Sequence, residues 1–557
     1  MKRILIFIMA ALLCGAAQAQ PGWVKKATKG VFTLKTFDAG GNLIAGSNGF
    51  FVGENGEAVS SFAPFKGAAR AVVIDSRGNE MPVTGIIGAN STYDVAKFRV
   101  GAKSSTPLAI AGSNAAEGSV VWLLPYTTKK SPDCERGIVR KVEMFQGSNA
   151  YYTVSVRSGE DAVSSPLLNE AGEVIGLMQQ PVDAKDTTNY AVSAAFANSL
   201  KTNGLSINDP TLNSTAIRKE LPDELDQAIL TLYLAASVLD SAAYVATIGD
   251  FIAKFPNAAD GYIARAQLLS AAMRYDEADA DMRQAIKVAE KKDDAHFNYA
   301  KLMYQKLMFA DSTTYDKWTL DAAAAEAREA YSINKVPVYR QLEAQIRFSQ
   351  KRYAEAYSIY EELFKGDSRN AETYFAAAQC KEMMRDTAAV LALLDSAVNT
   401  FNRPYLKSAA PYILARAQTL LGMKEYRKAV VDFNEYEKLM PAEVNANFYY
   451  IRARAEVEGH IYQAALNDFA TAIRKDPKNT LYYCEKASLE VRVNMFDDAI
   501  KTAGQCIAID PNLGEGYLFL GLAQCLKGDK AAGRQNLQKA KDLGDSQAQE
   551  IMDKYAK

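Results

Sequence analysis

Histidine is the side chain best suited to moving a proton near neutral pH, and this sequence has two, His296 and His460. Both stand in a stretch that reads as helix, and residues 22–205 contain none. A serine activated by an imidazole therefore cannot be assembled within that segment. A shifted arrangement would use Ser164 or Ser165 as nucleophile with a lysine base such as Lys97. The two serines read more simply as turn hydrogen bonding, and Asp94 as a carboxylate held by backbone donors. Cysteine chemistry is equally sparse. Cys14, Cys134, Cys380, Cys484, Cys506 and Cys525 are scattered, with no CxxC pair and no metal-like cluster. They read as small buried residues, and a Cys506–Cys525 bridge stays open in an oxidising compartment. No phosphate-cradling GxxxxGK[ST] occurs. No cofactor or metal is expected.

The elements that position these residues fall into two halves. From about 22 to 205, short runs rich in Val, Phe, Tyr and Thr alternate with Gly, Asn, Asp and Pro turns. Gly30–Leu34, Ala71–Ile74, Ser119–Leu124 and Tyr151–Val156 are examples. Many short strands and few helices predict a closed barrel or sandwich. Residues 206–220 read as a polar connection carrying Ser206, Asn208, Asp209 and Pro210. From 221 to 557 the period turns helical.

That helical half repeats itself. Ile413, Ala417, Tyr426, Ala429, Phe433 and Pro441 are followed in register by Tyr449, Ala453, Tyr462, Ala465, Phe469 and Pro477, then by Tyr483, Ala487, Phe496, Ala499, Cys506 and Pro511. Small residues let paired helices approach, and aromatics fill the gap to the next pair. The pattern resembles the tetratricopeptide repeat over about 220–550, in eight or nine units, with an insertion around Phe309–Leu320. The resemblance implies an all-α solenoid whose first helices line a concave face. The binding candidates on that face are Phe375, Gln379, Leu414, Gln418, Tyr450 and Arg454.

The β half resembles a chymotrypsin-fold serine protease of the bacterial Deg/HtrA type over roughly 25–200. Gly46-Ser47-Asn48-Gly49-Phe50-Phe51-Val52, Tyr93-Asp94-Val95-Ala96-Lys97-Phe98 and Asp161-Ala162-Val163-Ser164-Ser165-Pro166-Leu167 carry the likeness. Tyr190-Ala191-Val192-Ser193 closes it. The resemblance implies a trypsin-like double β-barrel. It places the triad acid on Asp94, the base on Ala63 and the nucleophile on Val163. Ala63 cannot accept a proton and Val163 has no hydroxyl. The glycines expected around the oxyanion hole read Asp161 and Ser164. The domain is therefore expected to be an inactive, pseudoprotease relative, with no catalytic residue.

Net charge near −1 gives no electrostatic case for nucleic acid. Lys2 and Arg3, the apolar run Ile4–Leu13 and Ala17-Gln18-Ala19 read as an export signal cleaved after Ala19. No later apolar stretch is long enough to span a bilayer. The expected domains are a signal peptide at 1–19, a trypsin-like domain at 22–205, a linker at 206–220 and a repeat array at 221–557. The expected function is an exported, periplasmic or cell-envelope scaffold. It would bind a protein or peptide through its repeat groove and through the protease-like cleft. The alternatives are an active peptidase with atypical residues, or a structural part of an envelope assembly.

Overall fold

The computed structural model describes residues 20–129, 132–145, 149–156, 159–180, 188–309, 314–366 and 369–557. The expected signal, with Cys14, lies outside them. The apolar runs become β1 (Val31–Phe37), β2 (Leu43–Phe51), β3 (Glu57–Ser60), β4 (Arg70–Ile74), β5 (Glu80–Asn90) and β6 (Val95–Val100). A second set follows: β7 (Val120–Leu123), β8 (Glu135–Phe145), β9 (Asn149–Val154), β10 (Pro166–Leu168), β11 (Val174–Met178) and β12 (Asn189–Ser193). Among the described residues these strands pair with one another antiparallel, and each set closes into a barrel. The orders are β1-β2-β3-β6-β5-β4 and β10-β11-β12-β9-β8-β7.

The two-residue period of a strand explains how one chain feeds separate cores. Phe32 and Phe51 point into the first barrel with Phe65, Phe98 and Ile86. Their neighbours Val31 and Phe50 point the other way, into a cluster that also takes Leu168, Leu177 and Val192 from the second set. That shared cluster cements one barrel to the other. Leu167, beside Leu168, faces the second barrel's interior with Val121 and Tyr152. Gly49 has no room for a Cβ, because the Phe32 ring lies directly over it.

The connection at 206–220 is polar in composition, yet it is built onto the first barrel. Leu212 and Ile217 are buried in that barrel's core. Ile86 N–H donates to Arg218 O at 2.8 Å, and Glu220 N–H donates back to Ile86 O at 2.9 Å. Asp209 caps the short helical turn Pro210–Asn213 through Thr211 N–H at 2.7 Å.

The chain divides into two compact units. One takes the barrels and the helices through Glu290, apart from Met273–Tyr275; the other takes those three residues and Lys291–Lys557. In the first unit are α1 (Leu225–Val238), α2 (Ser241–Lys254), α3 (Ala259–Ala271) and nearly all of α4 (Tyr275–Val288). The second begins with α5 (Lys292–Phe309), α6 (Leu320–Ile333), α7 (Pro337–Ser349), α8 (Tyr353–Lys365), α9 (Ala371–Met383) and α10 (Thr387–Val398). It continues with α11 (Ala410–Gly422), α12 (Tyr426–Leu439), α13 (Ala446–Glu458), α14 (Tyr462–Lys475), α15 (Thr480–Arg492) and α16 (Phe496–Ile509). It ends with α17 (Gly514–Lys527), α18 (Lys530–Asp542) and α19 (Ala548–Tyr555). In the second unit each helix packs against the next in sequence. In six of these hairpins the bend holds one left-handed residue. Lys351, Arg385, Lys424, His460, Asn494 and Gly528 fill that place in successive hairpins. His460 is thus a turn residue. In the last pair the helices cross at Gly521, where a Cβ would meet Gly533 O at 2.8 Å.

An ion pair with a buried aspartate recurs inside the hairpins. Arg265–Asp281, Arg416–Asp432 and Arg452–Asp468 are each bidentate, and each spans 16 residues. The arginine directly precedes the small alanine of the first helix, and the aspartate precedes the core Met or Phe of the second. Two parallel hydrogen bonds fix the rotation of one helix against its partner. The third hairpin of this kind also buries Glu456, which is 3% exposed, and its Oε2 has no hydrogen-bond partner. Burial, aided by the nearby Asp468 charge and opposed by Arg452, pushes the Glu456 carboxyl up to about 8.

The folded state therefore holds a proton on Glu456 that the unfolded chain releases above its ordinary value of 4.5. Stability from this group is full below that value and is lost as pH rises towards 8, by up to about 1.4 kcal/mol per pH unit. Urea titrations of wild type at pH 5, 6.5 and 8 should show this decline. Glu456→Gln should flatten it, and equal slopes in the two proteins would contradict the assignment.

Candidate functional site

Two places in the molecule could do chemistry or recognition: the junction of the two barrels, and a groove in the second unit. At the junction β3 runs past Ser60 into a single tight turn, Ala63–Phe65. Phe62 and Phe65 are fully buried in the first barrel, which leaves Ala63 on the exposed side. Asp94 sits between β5 and β6 with a left-handed backbone, φ +50°. Its Oδ1 accepts the Ala63 N–H at 2.6 Å. The acid and base positions of the sequence comparison are therefore side by side. The group donating to the carboxylate is a backbone amide.

Val163 lies in the turn before β10 and is half-buried. Its carbonyl accepts the Asn48 N–H at 3.1 Å. The next residue, Ser164, has φ +64° and no exposed surface. Its N–H donates to Met178 O at 2.9 Å. Its Oγ lies 2.7 Å from Ser47 Oγ and 2.5 Å from Ser61 Oγ, and it accepts Ser61 N–H at 3.1 Å. Asn48 extends the seam: its Nδ2 donates to Asp161 O at 2.5 Å and to Ser165 Oγ at 3.1 Å. Ser60 Oγ donates to Asn48 O at 2.5 Å. Side chains from β2 and the end of β3 are in this way stitched to the 161–165 turn.

The chemical capacity of this seam follows from its partners. Ser164 and Ser165 are both buried and hydrogen-bonded within the seam. Lys97, the base considered for them, is held at 2.9 Å by Glu57. The two histidines lie in the helical half, His296 Nδ1 at 2.5 Å from Glu326 and Nδ1 of the turn residue His460 at 2.7 Å from the Tyr462 hydroxyl.

The groove is a cavity of about 770 Å³ lined by first helices of consecutive hairpins, α5, α7 and α9, with Tyr360 of α8. Phe375 and Gln379 of α9 line it, as expected of that face. With them stand Phe297, Lys301, Gln345 and Phe348. These follow an i, i+4 spacing, Phe297 to Lys301 and Phe375 to Gln379, which puts side chains on one face of a helix. That spacing is the signal in the sequence that could have found Phe297 and Lys301 in the degenerate early repeats. Leu414 lies partly buried against Leu420 and Phe433, and Gln418 is exposed on the same helix. Tyr450 is engaged between helices. Its ring centroid is 5.3 Å from Tyr482, and its hydroxyl donates to Glu485 Oε1 at 3.3 Å. Arg454 is exposed and reaches the Tyr450 hydroxyl at 3.5 Å. Phe375 and Gln379 thus share a cavity that none of the other four lines.

Residues 47–177 match the family described as a trypsin-like peptidase domain. The chain is 32% identical over 91 residues to the small glutamine-rich tetratricopeptide repeat-containing protein 2 of Saccharomyces cerevisiae, covering 16% of this chain and 26% of that protein. It is 23% identical over 208 residues to a DnaJ homolog subfamily C member 7 homolog of Dictyostelium discoideum, covering 36% and 37%. A match to the Hsp70-Hsp90 organizing protein of Triticum aestivum is 25% identical and covers 23% of this chain and 21% of that one. The chain thus spans well under half the length of these relatives. Among solved structures, the active form of a protease from M. tuberculosis aligns at 16% identity and TM-score 0.30, over 33% of this chain and 85% of that one. A serine endoprotease from Yersinia pestis aligns at 16% and 0.28, over 32% and 62%.

Ser164→Ala should remove the hydroxyl that three groups share and leave the buried Ser61 N–H unpaired. The expected loss is about 1–3 kcal/mol in urea unfolding of the β domain. An unchanged midpoint would show that the seam is not held this way. A trypsin-like domain, matched at residues 47–177, is joined in this chain to helical hairpins of the tetratricopeptide-repeat type.

Proposed function

We propose that the protein is an exported, non-catalytic scaffold that recognises protein or peptide segments through its helical groove, the protease-like domain serving binding rather than hydrolysis. One observation carries this reading: the place of the general base is Ala63, whose own N–H already occupies the Asp94 carboxylate. With Val163 at the nucleophile's place, neither proton transfer nor acyl transfer has a side chain to work with. In a serine protease, loss of base and nucleophile together removes a factor on the order of 10⁶ in rate. Protein recognition is supported by the names of the relatives, one of which describes an organizer of Hsp70 and Hsp90. It is supported also by the groove's chemistry. Phe297, Phe348 and Phe375 offer aromatic faces, and Gln345 and Gln379 offer amides that both donate and accept. An extended peptide presenting apolar side chains and its own main-chain amides fits that lining.

The active-peptidase alternative requires Ser164 or Ser165 to act with a lysine. The Lys97–Glu57 pair and the burial of both serines weigh against it. The full chain should therefore turn over neither casein nor fluorogenic peptides. Any turnover that Ser164→Ala or Ser165→Ala abolishes would overturn the proposal. For recognition, photo-crosslinking from position 345 in the native cell should capture protein partners. Phe375→Ala should lower capture at least about tenfold if this aromatic is an anchor. Capture that Phe375→Ala leaves unchanged would move recognition away from this groove.

A further inference from the structure

We propose that Cys484 and Cys506 form an intrachain disulfide, made by exchange with an external disulfide of the protein-oxidant or glutathione class. The two cysteines lie on α15 and α16, the helices of one hairpin, and their sulfurs are 3.4 Å apart. Both are buried, 1% and 0% exposed, in a small core with Tyr483 and Phe519. A disulfide is about 2.0 Å long, so the sulfurs need to close by about 1.4 Å, within reach of a small side-chain rotation. Cys525 belongs to a different core, with Leu518 and Leu537, and Cys380 to another with Ala344 and Tyr360. Spacing along the chain had left Cys506–Cys525 open as a pair; the hairpin instead brings Cys484 to Cys506.

The exchange runs in two thiol–disulfide steps, taking Cys506 as the attacking thiolate. That thiolate adds to one sulfur of the external disulfide and expels the other half as a thiolate, which takes up the proton Cys506 gave up. Cys484 then loses its proton, attacks the Cys506 sulfur and expels the second half as a thiol. Two protein thiols are oxidised to one disulfide, and the external disulfide is reduced to two thiols. Because both sulfurs are buried, the exchange occurs while the hairpin is open, and packing then seals the bond.

The full chain is refolded in a glutathione redox buffer, alkylated in denaturant without reduction, digested and analysed by mass spectrometry. A linked peptide pair joining 484 to 506 is expected, with both residues absent from the alkylated pool until a reductant is added. Thermal melts of oxidised against reduced protein should differ by on the order of 5 °C, and Cys484→Ser should abolish the difference. Recovery of both cysteines alkylated, as glutathione mixed disulfides, or with Cys506 linked to Cys525, would overturn the proposal. The peptide map reads wild-type protein, so a poorly folding variant does not blunt it.

Discussion

Ser164 holds a left-handed backbone angle, and its buried hydroxyl touches Ser47 and Ser61. Left-handed backbone costs a non-glycine residue roughly 1–2 kcal/mol. Here the hydrogen bonds across the seam offset that cost. The resemblance expects a glycine at this position, free to turn and without a side chain. With serine there, the turn becomes a fastener between β2, the end of β3 and β10. The geometry of Asp94 and Ala63 follows from the same framework, since Phe62 and Phe65 anchor the segment that carries Ala63. The protease-like frame is kept by contacts that involve no proton transfer.

The helical half relies on a different device. Small residues bring two helices together, but apolar packing alone leaves their rotation loosely specified. The bidentate Arg–Asp pairs set that rotation in three hairpins, with Asp281, Asp432, Arg452 and Asp468 nearly inaccessible to water. Such pairs are costly to desolvate and serve register more clearly than stability. Their regularity leaves the exposed face of the first helices free to vary. The groove at α5, α7 and α9 lies on that face, in the repeats whose sequence departs furthest from the pattern.

Much of this was legible in the residues. Alternating apolar runs announced the strands. The Ala–aromatic–Pro period announced the hairpins, and the sequence itself shows that 22–205 holds no imidazole. Other features were hidden because they depend on distance in space. Leu212 and Ile217 stand in a segment of polar composition, and only their packing into the first barrel's core explains their burial. Cys484 and Cys506 are 22 residues apart, an interval that means nothing until two antiparallel helices bring them together. The Arg–Asp pairs were visible in principle, as Arg-Ala and Asp-Phe or Asp-Met recurring 16 residues apart. Charged residues are usually read as solvated, and the aspartates of these pairs are not. Tyr450 and Arg454 share the face of the first helices, but Tyr450 is drawn into packing between neighbouring hairpins.

The proposal of a non-catalytic scaffold turns on whether any side chain between residues 22 and 205 attacks a carbonyl or an activated phosphorus. Intact mass and peptide mapping after exposure of the folded full chain to a fluorophosphonate test it directly. The account predicts unmodified protein under conditions that label a serine protease to completion. A covalent adduct on Ser164, Ser165 or any other residue of that domain would contradict it.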